Sequence, residues 1–271
     1  MTFTPARTRR MLGNALFSEG FRRFGLPFAR DYARIAWRAS RHWGDTGSGV
    51  MRLLGSRVTY PNHSAALFLV HEIFVNGAYA FEARTRRPRI IDCGANIGMS
   101  VVFFKSLYAD AEVLAFEPDP RTFSQLEKNV QANRLKDVRL VNAAVAGTPG
   151  TVPFYSEQAA PGSLVGSLDP ARGGTLAFAV QAVTLSSFID QPVDFLKVDV
   201  EGAEGGVVED LVASGAIGLV KHLVIEAHAE PRASAGRTTI VHRLESAGFS
   251  VRITDLDDGA ALVRAFRRSS E

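Results

Sequence analysis

The chain has 271 residues, of which 46% are hydrophobic and 22% charged, and its formal net charge is +3. This composition excludes a mainly disordered chain and a collagen-like fibre. The single cysteine, Cys93, excludes an internal disulfide and a multi-cysteine metal site. No run of about 18 apolar residues predicts a transmembrane helix, and no secretory signal pattern opens the sequence. We therefore expect a cytoplasmic protein with no integral membrane segment.

The positive charge of the chain is concentrated in its first 60 residues. They contain eleven Arg and three acidic residues, a net charge of +8, so residues 61–271 must carry −5 to give the total of +3. A basic protein often binds nucleic acid, but here the larger part of the chain is acidic. We therefore expect a partner other than nucleic acid.

Residues 1–43 have the pattern of a helix, because phenylalanines recur at spacings of four, three and four and form one apolar stripe. They are Phe17, Phe21, Phe24 and Phe28. Six arginines are interspersed with the apolar residues: Arg22, Arg23, Arg30, Arg34, Arg38 and Arg41. We expect a helical extension over residues 1–60 that caps a main domain of residues 61–271. Two other interpretations stay open, a helix on a membrane surface and an arginine patch for an anionic substrate.

From residue 88 onward, short apolar runs alternate with amphipathic segments. Strands are predicted at 89–94, 112–117, 138–146, 151–155, 178–185, 193–200, 222–228, 249–254 and 260–266. Helices are predicted at 98–108, 120–134, 203–214 and 237–247, a loop at 157–177, and a terminal hairpin turn around Asp257, Asp258 and Gly259. Alternation of strands and helices predicts an α/β fold with a parallel sheet and helices on both of its faces.

A glycine-rich turn follows the first of these strands and opens a helix. The sequence is IIDCGANIGMS, in which Gly94 and Gly98 allow close approach of the backbone and tight packing of strand on helix. Glu117 ends the next strand, 23 residues after Gly94, where a carboxylate can accept hydrogen bonds from both hydroxyls of a ribose. The two features together predict a nucleotide-type site.

Two residues of the turn distinguish between two candidate ligands, NAD and S-adenosylmethionine. A dinucleotide site requires a glycine where this chain has Asn96, and the carboxylate of Asp92 is a poor neighbour for a pyrophosphate. An acid at this place suits a ligand that carries a cationic amino-acid group. The turn therefore favours S-adenosylmethionine, which has an ammonium and a sulfonium, over NAD.

Three segments give the chain a resemblance to a known family. IIDCGANIGMS, AFEPDP at 115–120 and FLKVDVEGAE at 195–204 together resemble the FkbM family of methyltransferases. The upstream segment from His71 to Tyr79 is also similar to the region that precedes that family's domain. The resemblance covers about residues 65–265, so the basic extension lies outside it.

The resemblance implies a fold, an activity and a binding site. It implies the Rossmann-like sheet of class I methyltransferases, with seven strands of which the last is antiparallel, and methyl transfer from S-adenosylmethionine. It also implies that the residues of the turn surround the methionine end, that Glu117 holds the ribose, and that the turn at Asn142 lies near the adenine. The expected cofactor-binding residues are Asp92, Gly94, Ala95, Asn96, Gly98, Glu117, Pro118, Asn142 and Ala143.

A second cluster of charged residues follows the strand at 193–200. Because side chains alternate along a strand, Lys197, Asp199 and Glu201 share one face, and we expect Lys197 to pair with one of the acids. Asp199 faces the same crevice as Gly94 if the strand order reverses between their strands. It is a candidate general base, contact for the methionine ammonium, or metal ligand. Glu204 is predicted in the first turn of the next helix.

The next strand ends with Glu226 and His228, which share a face. Histidine has an ordinary pKa suited to proton removal near neutrality, so we name Asp199, Glu226 and His228 as the candidate catalytic residues. The interpretation that His228 is an ordinary histidine at the end of a strand, with no catalytic role, stays equally open. The three could also bind Mg²⁺ or Ca²⁺, but a cluster of carboxylates is not specific, and no metal site is predicted.

The sequence thus predicts an S-adenosylmethionine-dependent O-methyltransferase. Its expected acceptor is a hydroxylated small molecule, a sugar, a glycoside or a secondary metabolite, by analogy with the family alone. An N-methyltransferase of a small molecule and a non-catalytic nucleotide-binding or scaffolding module are the alternatives. A homo-oligomer is compatible with the extension but is not indicated by any residue.

Overall fold

The computed structural model describes residues 18–41, 47–156, 166–228, 236–256 and 259–267. Its α-helices are α1 (Glu19–Arg41), α2 (His63–Leu69), α3 (Met99–Leu107), α4 (Pro120–Ala132), α5 (Glu204–Ala213) and α6 (Arg237–Ser246). A π-helix covers Val70–Val75, and 3-10 helices cover Leu185–Phe188 and Ala216–Leu219. The strands are β1 (Gly49–Leu53), β2 (Ser56–Tyr60), β3 (Arg89–Cys93), β4 (Glu112–Phe116), β5 (Val138–Val141), β6 (Ala144–Val145), β7 (Gly150–Ser156), β8 (Leu176–Val183), β9 (Val193–Val198), β10 (Val220–Ala227), β11 (Phe249–Asp255) and β12 (Ala261–Arg267).

Seven of these strands form the central sheet, in the order β11-β12-β10-β9-β3-β4-β5. The neighbours from β10 to β5 are parallel, whereas β12 is antiparallel to both β10 and β11. This arrangement confirms the predicted sheet with its last strand antiparallel. The strand order reverses between β3 and β9, and a crevice at the carboxyl ends of these strands is the expected ligand site of such a fold.

Helices cover both faces of the sheet because its strands alternate apolar residues between two cores. Ile90 points into the core that also contains Phe103 and Phe195, and Ile91 points into the opposite core with Leu196 and Ile225. All six side chains are buried. The second core is covered by α5 and α6, and the first by α3 together with the segments before β3.

Helix α1 packs its inner side into the first of these cores. Phe28 is fully buried and its ring lies 6.3 Å from that of Phe74, while Tyr32 and Ile35 are also buried in the same cluster. The helix is kinked at Gly25, which has φ +61° and ψ −145°. Phe17, the first member of the predicted stripe, lies outside the described residues.

The prediction that the extension is helical up to residue 60 is wrong for its last part. Residues 49–60 form an antiparallel hairpin of β1 and β2. Side-chain amides of α4 hold the hairpin: the Asn129 Oδ1 accepts the Thr59 N–H at 2.9 Å, and the Asn133 Oδ1 accepts the Arg57 N–H at 2.7 Å. These bonds satisfy backbone groups of β2 that have no strand partner.

The predicted strand at 138–146 divides into two. β5 belongs to the central sheet, whereas β6 joins a three-stranded sheet in the order β6-β8-β7. The Asn142 side chain donates to the carbonyls of Glu117 at 2.8 Å and Pro118 at 3.1 Å, and these bonds turn the chain out of the central sheet. The small sheet has its own core around Phe154 and Val180.

The predicted terminal hairpin is formed by β11 and β12, although Asp257 and Asp258 of its turn lie outside the described residues. Within the described ranges, no helix has the length and apolar character needed to cross a bilayer.

Candidate active site

The glycine-rich turn lies at the carboxyl end of β3, beside the end of β9. The N–H groups of Gly94 and Ala95 donate to the Phe116 carbonyl at 3.1 and 2.8 Å, which fastens the turn to β4. Gly94 has φ +91°, and a Cβ at this position would lie 1.9 Å from the Asp199 carbonyl oxygen. Glycine is therefore required here by the neighbouring strand as well as by the turn.

The rest of the turn brings the start of α3 to the crevice. Asn96 has φ +49°, and its Oδ1 accepts the Ile97 N–H at 2.7 Å. Asparagine tolerates this left-handed conformation because its short side chain bonds locally. Gly98 caps α3 with φ +89°, where a Cβ would lie 2.7 Å from Leu126 of α4.

Asp92 and Lys197 form a fully buried ion pair between β3 and β9, at 3.2 Å. Ser100 also donates to Asp92 at 2.5 Å. The Lys197 Nζ donates to the Gly94 carbonyl at 2.7 Å and lies 3.2 Å from Asp199. Burial alone would lower the lysine pKa, but Asp199 and Asp92 outweigh it and raise the pKa of Lys197 above its usual value.

This arrangement changes what Asp92 can do. It was predicted to face a cationic ligand, but its side chain has no exposed surface and its oxygens are directed at Ser100 and Lys197. We therefore infer that Asp92 shapes the turn through Lys197. The predicted pairing of Lys197 with an acid of its own strand is confirmed at Asp199.

Glu117 is buried directly after β4, next to the turn. Its two oxygens accept the N–H groups of Asn96 and Asp119, each at 3.0 Å. Burial raises the pKa of Glu117 to about 8, although these backbone bonds and Lys197 oppose the rise. A carboxylate has about four lone-pair sites, so two remain for further donors such as ribose hydroxyls.

The other predicted cofactor-binding residues lie near Glu117. Pro118 follows it directly and is half-buried, and Asn142 is tied to both residues by its side-chain amide. Ala143 is buried behind Asn142. The structure thus brings the predicted adenine-side residues together at the edge where β4 and β5 end.

Asp199 stands at the centre of the crevice. Its backbone N–H donates to the Cys93 carbonyl at 3.1 Å, which fixes it beside the turn. The Tyr79 hydroxyl donates to the Asp199 Oδ2 at 3.5 Å, and the Tyr79 ring lies 5.1 Å from the Lys197 Nζ. Burial and nearby acids, with Glu72 first among them, raise the pKa of Tyr79 well above its usual value. Tyr79 therefore stays a neutral hydrogen-bond donor.

Tyr79 lies in the site, but no chemical motif in the sequence identifies it as a site residue. It lies in the segment from His71 to Tyr79, which resembles the region before the family's domain, and that similarity was the one available signal.

His228 is surrounded by three glutamates at the end of β10. Its Nδ1 lies 3.1 Å from Glu204, and its Nε2 lies 3.3 Å from Glu201 and 3.5 Å from Glu226. Burial lowers the pKa of His228, but hydrogen bonds to Glu204 and Glu226 and the charge of Glu201 outweigh it, and the pKa rises to about 11. At neutral pH this residue is therefore an imidazolium, which has no lone pair for proton removal.

Two of the carboxylates around His228, those of Glu201 and Glu226, have pKa values shifted toward the neutral form. Burial and Asp199 raise the pKa of Glu201 to about 7, and the same two causes raise the pKa of Glu226. Glu204 begins α5 as predicted, and both of its oxygens accept the Gly202 N–H at 3.0 Å. A carboxylate with a raised pKa is well suited to accept a proton near neutrality.

The turn after β9 is held by a loop of the small sheet. Glu201 has φ +53° and Gly202 φ +108°, a conformation that is strained for a glutamate. Arg172 donates to the Glu201 side chain at 2.9 Å, and the Ser167 hydroxyl donates to the Glu201 carbonyl. Both belong to the predicted loop at 157–177, whose composition contains no signal for this contact.

Asp199, Glu226 and His228 are brought together as predicted for the catalytic residues. One donor atom from each lies within 4.8 Å of the others, which is compatible with a divalent cation. A cation would have to displace the proton that His228 holds at neutral pH, because a metal ligand must be a neutral imidazole. The geometry therefore supports proton handling more directly than metal binding.

Comparisons with known proteins show the family of this chain. Residues 92–251 match the family described as the methyltransferase FkbM domain. Methyltransferase sdnD of Sordaria araneosa is 30% identical over 218 residues, which are 69% of this chain and 83% of that protein. The 31-O-demethyl-FK506 methyltransferase FkbM of Streptomyces tacrolimicus is 34% identical over 107 residues, 38% of this chain and 41% of that protein. Among solved structures, M. jannaschii TYW2 in complex with AdoMet is 14% identical, with 83% of this chain and 89% of that chain covered and a TM-score of 0.44.

Proposed function

Because the chain belongs to the family of FkbM methyltransferases, we propose that it transfers a methyl group from S-adenosylmethionine to a hydroxyl of a sugar, a glycoside or a secondary metabolite. The observation that carries this proposal is the meeting of the Gly94 turn, Glu117 and Asp199 at the carboxyl ends of β3, β4 and β9. Together these elements line one crevice, in which Glu117 lies on the side proposed for the nucleoside and Asp199 on the side proposed for the cationic group.

The charges of the crevice fit a cationic ligand. Three acids, Asp199, Glu201 and Glu226, are half-buried at the strand ends, and the cations among them are Lys197 and Arg172 together with His228. Lys197 is already engaged by the buried Asp92. With Asp92 and Glu204 included, five acidic groups lie beside three basic groups, so acidic groups outnumber basic groups where the ammonium and sulfonium of S-adenosylmethionine would lie, and this disfavours a pyrophosphate.

The ribose side fits a ligand with two hydroxyl donors. Glu117 keeps lone pairs after accepting the N–H groups of Asn96 and Asp119. Its burial strengthens any hydrogen bond it accepts, because water does not compete there. Gly94, Ala95, Asn96 and Gly98 would supply the backbone around the methionine end, with Asp199 beside them.

S-adenosylmethionine supplies an electrophilic methyl group on a sulfonium, so the protein has to orient the acceptor oxygen and remove its proton. We assign proton removal to the carboxylate of Glu226, because its pKa is raised and it lies beside Asp199 in the crevice. As the acceptor oxygen forms its bond to the methyl carbon, the hydroxyl proton passes to the Glu226 oxygen. His228, charged throughout, would hold Glu226 in place from 3.5 Å.

Transfer of the methyl group to oxygen is supported by the name of one relative. The Streptomyces tacrolimicus protein is a 31-O-demethyl-FK506 methyltransferase, a name that specifies a substrate lacking a methyl group on oxygen. The identity of this chain's acceptor is a separate question, which a screen of hydroxylated metabolites with radiolabelled S-adenosylmethionine would answer.

The test combines calorimetry with methyl transfer. Calorimetry should show saturable binding of S-adenosylhomocysteine, and Glu117→Ala should weaken it by about 1–3 kcal/mol because the ribose hydroxyls lose their acceptor in a buried site. Glu226→Gln should lower kcat by roughly 10²–10⁴-fold with cofactor affinity nearly unchanged. Glu209→Gln, on the exposed side of α5, is the matched control.

Two results would overturn the proposal. Tight NAD binding without binding of S-adenosylhomocysteine would refute the cofactor. A fully active Asp199→Asn, Glu226→Gln variant would remove the acids from the reaction. If Asp199 instead holds the methionine ammonium, Asp199→Asn alone should weaken cofactor binding before it lowers kcat.

A further inference from the structure

The outward side of α1 combines basic and apolar residues. Arg22, Arg30 and Arg34 have side chains between 67 and 73% exposed, and Arg38 is also exposed. They alternate with the two most exposed large apolar residues of the described chain, Leu26 at 77% and Trp37 at 57%. After the kink at Gly25, the spacing of three or four residues from Leu26 through Arg30 and Arg34 to Trp37 places these four residues on one helical face.

The acidic residues of α1 are directed elsewhere. Asp31 is buried and accepts the Leu54 N–H of the hairpin at 3.0 Å, and it lies 3.5 Å from Arg34 and 3.8 Å from Arg30. Glu19 binds the Nε of Arg23 at 2.8 Å on the side toward the domain. Among the described side chains of α1, none of the exposed positions is acidic. This face is therefore positively charged over its whole length.

The inner side of α1, which packs on the main domain, fixes the position of this helix. Phe28, Tyr32 and Ile35 are buried in the core of the main domain, so the outward residues cannot turn inward. Among the residues that the structure describes, Leu26 and Trp37 could reach this core only if the helix left it. Their large exposed apolar area can therefore be covered by a surface outside the main domain.

We propose that the outward face of α1 binds the surface of a bilayer that contains anionic lipids. Arginines attract the phosphate-bearing headgroups of such a surface. Tryptophan is favoured at the level of the headgroups and an exposed leucine at the boundary with the acyl chains. The helix would lie on the bilayer and would not cross it.

The distribution of charge over the chain sets the orientation. Residues 61–271 carry a net charge of −5 and are repelled by an anionic surface, while residues 1–60 carry +8 and are attracted. The molecule therefore approaches the bilayer with α1 first. A nucleic acid would satisfy the arginines and could stack a base on Trp37, but it would leave the exposed Leu26 in water, and this favours lipid.

The experiment uses the full chain and vesicles. Sedimentation is measured with vesicles of phosphatidylcholine alone and of phosphatidylcholine with phosphatidylglycerol. Binding should require phosphatidylglycerol and weaken with added NaCl. Both tryptophans of the chain, Trp37 and Trp43, lie in this region, so a Trp43→Phe variant reports on Trp37 alone, whose emission should shift to the blue on binding.

Two variants and one control separate the contributions. Arg30→Gln with Arg34→Gln should weaken vesicle binding by roughly 10- to 30-fold, and Leu26→Ala with Trp37→Ala by roughly tenfold or more. Arg84→Gln with Arg86→Gln removes the same charge from exposed positions of the loop before β3 and should leave binding unchanged. Circular dichroism melting checks that each variant is folded.

Three outcomes would refute the proposal. The first is equal binding to both kinds of vesicle, or none to either. The second is equal weakening by the control pair and by Arg30→Gln with Arg34→Gln. The third is salt-sensitive binding of a single-stranded RNA, or self-association by light scattering, that α1 variants abolish while vesicle binding is absent.

Discussion

Replacing Glu117 with Gln should make the protein more stable at alkaline pH, at the expense of cofactor binding. Glu117 is buried and its pKa is raised from the usual 4.5 to about 8. A group whose pKa is raised by folding binds its proton more tightly in the folded state. Its contribution is therefore most favourable below pH 4.5 and is lost as the pH rises to about 8.

The size of the effect follows from the two pKa values. Stability changes by about 1.4 kcal/mol per pH unit between them, and the slope levels off near the folded pKa. Between pH 6 and pH 8 the ionisation of Glu117 should lower the free energy of unfolding by about 2 kcal/mol. Glutamine cannot ionise, so Glu117→Gln should gain about that amount relative to the wild type over the same interval.

Urea denaturation at pH 6, 7 and 8 measures this difference directly, provided that the m-values of the two proteins agree. Glu112→Gln, the same substitution at the exposed start of β4, gives the effect of losing a carboxylate whose ion pair with Arg87 is open to water. Calorimetry on the variant should show weakened binding of S-adenosylhomocysteine. A stability difference between wild type and Glu117→Gln that does not change with pH would falsify the reasoning.

Three further substitutions test the site. Gly94→Ala should destabilise the fold more than Gly215→Ala: both glycines have positive φ, but an added Cβ meets a carbonyl at 1.9 Å at Gly94 and open space at Gly215. Equal losses in urea denaturation would contradict this. Lys197→Met should cost about 3–5 kcal/mol because a buried Asp92 is left uncompensated. Adding Asp92→Asn to this variant should restore part of the lost stability. If the double variant were no more stable than Lys197→Met, the ion pair of Asp92 with Lys197 would be contradicted. His228→Gln should be less stable than wild type by an amount that shrinks as pH rises from 6.5 toward 11, since folding raises the His228 pKa. Thermal melting of both proteins at several pH values measures this stability difference. A difference that does not change with pH would argue against a charged His228.

The strands and helices of the main domain could be predicted because their patterns are local. The apolar runs of β3, β4 and β9 are buried on both faces, and such strands appear in a sequence as nearly continuous apolar segments. The hairpin of β1 and β2 could not be predicted in this way. It depends on Asn129 and Asn133, which lie far away in the sequence and contact it only after α4 has packed.

The same distinction applies to the site. The positions of Glu117 and Asp199 follow from the ends of strands, so their meeting was predictable from the topology. The ion pair of Asp92 with Lys197 depends on the register of β3 against β9, in which these two residues are directly paired. The charge of His228 depends on three glutamates, from the turn after β9, from α5 and from β10, and a sequence contains only the ordinary pKa of the residue.

The packing of α1 has a consequence for biosynthesis. Phe28 and Leu53 share one core with Phe195 and Val224, so the earliest part of the chain completes its burial only after roughly 170 further residues have been translated. At 5–20 residues per second this takes about 10–30 s. During that time the aromatic side of α1 stays outside any finished core. The folding yield should therefore respond to the rate of translation of the main domain.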